Sequence, residues 1–163
     1  MDKFSNKQAL IKILQAAYSG EKAAALAYSG HWRSVKNLTE KENIQKIEQE
    51  EWHHRDILGN MLLMLDSKPL SWREFVFTLI GSILKFLCPV SGWFLPMYCA
   101  GRLETMNIKE YETASLFAQA GGFQEMAEQL AKMAEVEKQH EEYFYTMIKN
   151  HSAFKFIESL GTK

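Results

Sequence analysis

The stretch Glu50-Glu51-Trp52-His53-His54 holds two overlapping Glu-x-x-His registers, and the pattern occurs again at Glu137-Lys138-Gln139-His140. On a helix, residues three apart lie on one face, so each pattern offers a carboxylate and an imidazole to one point in space. The neighbouring turns decide which register of the first stretch counts. Glu51 and His54 continue the line Ile44, Ile47, Leu58, Met61 and Leu65, which is apolar throughout. Glu50 and His53 share their line with Lys46, Ile57 and Asn60, a mixed face. The Glu51/His54 register is therefore assigned to the core, and Glu50 and His53 to the rim or surface.

The same reading extends to the rest of the chain. Thr39 with Glu42 suggests a capping box opening the helix that carries Glu51, over residues 40–66. Before it, Ser5 with Gln8 suggests another, opening a helix over residues 6–36. Its stripe is Leu10, Leu14, Ala17, Glu21, Ala24, Tyr28 and Val35, apolar except at Glu21 and Tyr28. A third long helix runs from near Trp93 to Gln119, with Pro96 in its first turn and the Gly121-Gly122 pair as its stop. Its stripe is Met97, Ala100, Glu104, Ile108, Tyr111, Ser115 and Ala118. The fourth, over residues 123–149, carries Met126, Leu130, Met133, Glu137, His140, Phe144 and Met147 on one line. A short helix over residues 153–159 follows.

Between the second and third long helices lies the most apolar part of the chain, residues 75–101, with Lys85 its one acidic or lysine charge before Arg102. Ser71 with Glu74 suggests a capping box ahead of it. A membrane span needs about 20 uninterrupted apolar residues. Lys85 and the Pro89-Val90-Ser91-Gly92 break argue against one here. Two readings stay open: a buried helix with a turn, or an apolar surface that meets a membrane or admits a lipophilic substrate.

Composition narrows the function classes. At 163 residues the chain suits one domain, residues 1–163, with a sizeable core. A net charge of −1 provides no basic field for nucleic acid. The two cysteines, Cys88 and Cys99, form no C-x-x-C pair, which leaves out a disulfide framework, a structural zinc site and a rubredoxin-type iron site. The N-terminus reads as the start of the first helix and not as a leader.

Four long helices thus each place one carboxylate on an apolar face: Glu21, Glu51, Glu104 and Glu137. Two of them add an imidazole, His54 and His140. Burying several ionised groups without counter-charge costs several kcal/mol each, roughly. Two divalent metal ions would supply that charge, and six ligands suffice for two ions with carboxylate bridges. A Glu from each of two helices plus a Glu-x-x-His from each of the other two is the known rule for di-iron and di-manganese carboxylate bundles. The donor set suits Fe, with Mn the alternative. The competing reading is a metal-free bundle with an internal polar network. Tyr28 and Tyr111 are either hydrogen-bond partners orienting these carboxylates or ordinary core tyrosines.

The chain resembles the demethoxyubiquinone hydroxylases of the ferritin-like superfamily. The resemblance lies in Gly20-Glu21, Ala24 and Tyr28-Ser29-Gly30, in Glu51 to His54, in Met97-Tyr98-Cys99-Ala100 leading to Glu104, and in Glu137 to His140. It spans residues 10–148 and departs from the family pattern at Ala16-Ala17-Tyr18-Ser19, where an acidic residue is usual, and at Lys85. It implies an all-α, ferritin-like four-helix bundle with an extra apolar helical segment before the third bundle helix and a short C-terminal helix. It implies a di-iron monooxygenase that hydroxylates the ring of a ubiquinone precursor with dioxygen, NADH supplying electrons. Glu21, Glu51, His54, Glu104, Glu137 and His140 would hold the two Fe ions. The expected setting is cytoplasmic, peripheral at the inner face of the cell membrane through residues 75–101, with a homodimer allowed and no nucleic-acid partner. The alternatives are a rubrerythrin-like oxidase or peroxidase acting on oxygen or peroxide, and a non-catalytic iron-binding bundle.

Overall fold

The computed structural model describes residues 2–161, and among them every regular element is helical. Two long hairpins form the body. Helices α1 (Lys3–Ser34) and α2 (Leu38–Met64) make the first, and α4 (Phe94–Gly121) and α5 (Gln124–Ile148) the second. Their connections are so short that the paired helices must run antiparallel. Between the hairpins come α3 (Ser71–Leu87) and a 3-10 turn, Cys88–Val90, and α6 (Ser152–Gly161) closes the order. α1 packs against α2, α3 and α4, while α4 packs most extensively on α5.

The stripes explain this arrangement. Every member of the α2 line, Ile44 through Leu65, is buried, and so are the lines of α1, α4 and α5 apart from Val35, Ser115 and Met147, which are half-buried. The apolar core falls into two clusters. One gathers Leu10, Leu14, Leu58, Leu62, Tyr111 and Leu130, and the other Tyr28, Ile44, Met97, Phe144 and Ile148. The carboxylates and imidazoles occupy the zone between them, so hydrophobic burial on both sides holds the polar middle in place.

The helix starts differ from the capping boxes expected. α1 opens three residues early, on Asp2, whose Oδ1 accepts from the Ser5 amide at 2.8 Å. α2 opens on Asn37, whose Oδ1 accepts from the Glu40 amide at 3.1 Å. Both satisfy an orphan N–H as the rule requires, but a residue upstream of the Ser or Thr does it. α3 has no side-chain cap at all. Glu74 turns away to accept from Arg55 Nη2 at 2.6 Å and from Ser19 Oγ at 2.8 Å. One carboxylate thereby ties α3 to α1 and α2, and the Arg55 guanidinium lies 3.6 Å over the Tyr18 ring.

α3 lies close along α1, and two glycines permit it. A Cβ on Gly30 would meet the Lys85 carbonyl oxygen at 2.1 Å, and one on Gly81 would meet Ala23 at 2.7 Å. Lys85, the odd charge of the apolar segment, thus contributes its backbone to the helix contact. The opposite face of α3 is open: Phe75, Leu79, Ile83 and Phe86 are exposed. Of the two readings kept for residues 75–101, the buried helix fails over residues 75–87, where Gly81 alone is buried. Among the described residues, no helix is long and apolar enough to cross a membrane.

Candidate metal centre

Glu21, Glu51, His54, Glu104, Glu137 and His140 come together in the interior, each at most 4 % exposed. They form two overlapping sets. Glu21, Glu51, His54 and Glu137 make one, and Glu51, Glu104, Glu137 and His140 the other, with ligand atoms of each set within 4.8 Å of one another. Each set has one private carboxylate and one imidazole. Glu51 and Glu137, the carboxylates of the two Glu-x-x-His patterns, belong to both. The helix geometry produces this: an i, i+3 pair on α2 faces an i, i+3 pair on α5 across the core, and α1 and α4 each add one Glu from the sides.

The polar atoms here are under-partnered. Glu21 Oε2, both oxygens of Glu51, Glu137 Oε1 and His54 Nδ1 are buried without a hydrogen-bond partner. His54 Nδ1 and Glu137 Oε1 are 2.8 Å apart, yet misaligned for a hydrogen bond. Native proteins pair nearly all such groups, so orphaned oxygens converging on one space mark a place where a cation fits. The oxygen and imidazole donors suit first-row divalent ions.

The electrostatics point the same way. Burial drives the Glu21 and Glu104 carboxyls well above the ordinary carboxylate range, and the negative charge of Glu51 and Glu137 pushes them further. Glu137 is held low, at about 2: burial would raise it, but the hydrogen bond with His140 and the close approach of the His54 imidazole prevail. His140 rises to about 11, since the carboxylates of Glu137 and Glu51 outweigh its burial. Without a cation, the pocket keeps protons to offset its own negative charge. A divalent ion would displace them, so binding and proton release are linked.

Four residues orient the candidate ligands from outside. Both tyrosines are partners, and they cross over: Tyr28 on α1 donates to Glu104 on α4, and Tyr111 on α4 donates to Glu21 on α1. Asn107 Nδ2 donates to the other Glu104 oxygen at 3.2 Å. Glu50 sits at the rim, as the stripes assign it, but has a partner that the sequence did not show. It is half-buried, and its Oε2 lies 2.9 Å from His140 Nε2, while His140 Nδ1 faces Glu137 at 3.2 Å. The rim register of the first stretch thus supports the core register of the second. A carboxylate on the outer nitrogen of a ligand histidine fixes its tautomer and direction. Sequence periodicity ranks faces within one helix and cannot see a contact made across to another. His53 stays exposed, as assigned.

An apolar cavity of about 690 Å³ lies between α1, α3 and α4. Leu84, Leu87, Leu95, Ala100 and Leu103 line it, and Tyr28 closes its inner side. Since the Tyr28 hydroxyl donates to Glu104, one aromatic ring separates this cavity from the buried cluster.

This geometry defines a class: an all-helical protein with a buried Glu/His cluster able to hold metal. No family model, curated protein or solved structure gives a significant match to the chain.

Proposed function

We infer that the protein is a ferritin-like di-iron monooxygenase that hydroxylates the ring of a lipophilic, demethoxyubiquinone-type quinone precursor in ubiquinone biosynthesis. The observation that carries the metal reading is the pair of overlapping four-ligand sets sharing Glu51 and Glu137. Glu21 and His54 would complete one ion's ligands, Glu104 and His140 the other's. A reduced iron pair held there supplies the capacity to activate dioxygen, which side chains alone lack. Manganese satisfies the same donors.

The protein's own groups do the rest. Tyr28, Tyr111, Asn107 and Glu50 fix the ligand carboxylates and His140 by hydrogen bonds. The apolar lining of the cavity excludes water and selects a hydrophobic substrate. Its inner wall at Tyr28 brings a ring bound there next to a metal ligand. Hydroxylation leaves one oxygen atom of dioxygen in the product and one in water, and takes up two electrons and two protons. NADH is the proposed source of the electrons.

The exposed apolar face of α3 supports peripheral attachment at a membrane, where such a quinone resides. A rubrerythrin-like oxidase or a storage bundle shares the metal ligands, but neither has a use for the cavity or the α3 face. The test is complementation of a strain lacking the quinone hydroxylase, with quinones read by mass spectrometry. Restored hydroxylated quinone is the expected result. Failure by folded, iron-loaded protein would overturn the substrate assignment and leave the metal centre standing.

A further inference from the structure

One buried polar group near the cavity takes no part in the metal cluster. His31 follows Tyr28 by three residues on α1, so it lies on the same face, one turn further from the ligands. It is 2 % exposed, and its Nε2 is buried with no hydrogen-bond partner. Its ring sits beside those of Tyr28 and Phe144, at centroid distances of 6.4 and 6.2 Å. His31 lines the apolar cavity, and it also borders a second, more polar cavity formed with Ser34, Lys36, Asn37 and Glu40.

The other polar side chains around the apolar cavity are committed or wet. Tyr28 donates to Glu104, Ser91 donates to the Cys88 carbonyl at 3.2 Å, and Tyr98 and Arg102 reach solvent. His31 Nε2 is the buried polar atom left over. Leaving such an atom without a partner is costly, and an apolar residue of similar size would remove the cost. Burial lowers the His31 imidazole to about 4, so near pH 7 the ring is neutral. A neutral imidazole donates from Nε2 in one tautomer and accepts there in the other. The same atom therefore serves a ring carbonyl or a ring hydroxyl.

We propose that His31 Nε2 is the hydrogen-bonding anchor for the ring oxygen of an amphipathic quinone or quinol seated in this cavity. The tail lies among the leucines of α3 and α4, and the ring is held on the α1 side beside Tyr28. His31 is a specificity residue, since an aliphatic chain without ring oxygens gains nothing from it. This rests on the cavity being the substrate site but requires no turnover, so its test separates from that of the hydroxylase reading.

The test is binding of a short-tailed benzoquinone, its quinol and a tail-matched alkylbenzene to the full chain, followed by tryptophan fluorescence. Metal content is measured in parallel. In the wild type, the quinone and quinol should bind more tightly than the alkylbenzene. His31→Leu should weaken quinone and quinol binding roughly five- to tenfold, the weight of one neutral hydrogen bond. It should leave the alkylbenzene unchanged, metal content unchanged and the melting temperature equal or higher. His31→Gln should restore most of the quinone affinity. Three results would overturn the proposal: no quinone binding by the wild type, equal quinone affinity in His31→Leu, or equal weakening of all three ligands. The first of these with two metals still bound would spare the metal centre.

Discussion

The interior between α1, α2, α4 and α5 and the outer face of α3 break the usual inside–outside rule in opposite senses. In the first, Glu51, Glu104 and Glu137 are fully buried. In the second, Phe75 and Phe86 are each 73 % exposed. Charged groups are rarely buried unless paired, and large contiguous apolar surfaces are seldom left to water. The difference lies in where the remedy comes from. The interior has converging oxygen and imidazole atoms, outer partners and proton-holding carboxyls, so a small cation could complete it from within. The α3 face has no such internal answer and calls for an external apolar surface. The cavity lies between the two, bounded by α3 on one side and by Tyr28 on the other.

The largest expected effect tests the interior. Glu51→Ala or Glu137→Ala removes an oxygen donor from both ligand sets, so bound metal should fall from about two per chain to well under one. Glu21→Ala or Glu104→Ala touches one set only and should retain about one. Elemental analysis after iron loading reads this, and equal losses from all four variants would break the assignment of shared and private ligands.

Next comes the outer face. Phe75→Glu with Ile83→Glu should lower co-sedimentation with phospholipid vesicles at least tenfold, since each side chain contributes roughly 1.5–3 kcal/mol of apolar transfer. Metal content should not change. Unaltered vesicle binding would mean that this face meets something other than lipid.

A subtler effect concerns Glu50. Glu50→Ala removes the partner of His140 Nε2, so metal affinity should drop about 10-fold while saturation stays near two per chain. Competition with a chelator distinguishes this from loss of a ligand. Unchanged affinity would leave Glu50 a rim residue with no part in holding metal.

The smallest effect is one of pH. Raised carboxyls at Glu21 and Glu104 stabilise the metal-free fold fully below the ordinary value of 4.5, and that contribution is lost as pH rises through their elevated values. His140 acts in the same sense between 6.5 and about 11. Glu137 acts oppositely, losing its contribution only as pH falls from 4.5 towards about 2, and His31 does so as pH falls from 6.5 towards about 4, offsetting His140 and leaving the two raised carboxyls to decide the sign. The metal-free chain should therefore melt lower at pH 7.5 than at pH 5.5. A divalent ion replaces the retained protons, so stabilisation by Mn²⁺ should be several degrees greater at the higher pH. Calorimetry at the two pH values checks it, and a larger effect at pH 5.5 would contradict the charge balance described.

Much of this was legible in the sequence because helical periodicity reports directly on burial. The four stripes located the inward faces and separated Glu51/His54 from Glu50/His53. Contacts between helices were not legible. That Tyr28 serves Glu104 and Tyr111 serves Glu21, and that Glu50 reaches His140, depends on how faces of different helices meet. The capping boxes were misplaced because Asp2 and Asn37 start their helices upstream, capping the Ser5 and Glu40 amides, while Glu74 is drawn to Arg55. The burial of Gly30 was not read because α1 packs a second flank against α3, and His31, on the face of Tyr28, was passed over when the stripe was drawn on to Val35. The step of three from Tyr28 to His31 was the available signal.

We propose that the six buried side chains, Glu21, Glu51, His54, Glu104, Glu137 and His140, hold a pair of metal ions. Anaerobic loading of the full chain with ferrous iron, followed by oxidation, elemental analysis and Mössbauer spectroscopy, tests it most directly. About two irons per chain in a magnetically coupled pair are expected. Iron absent, or a single uncoupled iron per folded chain, would contradict it.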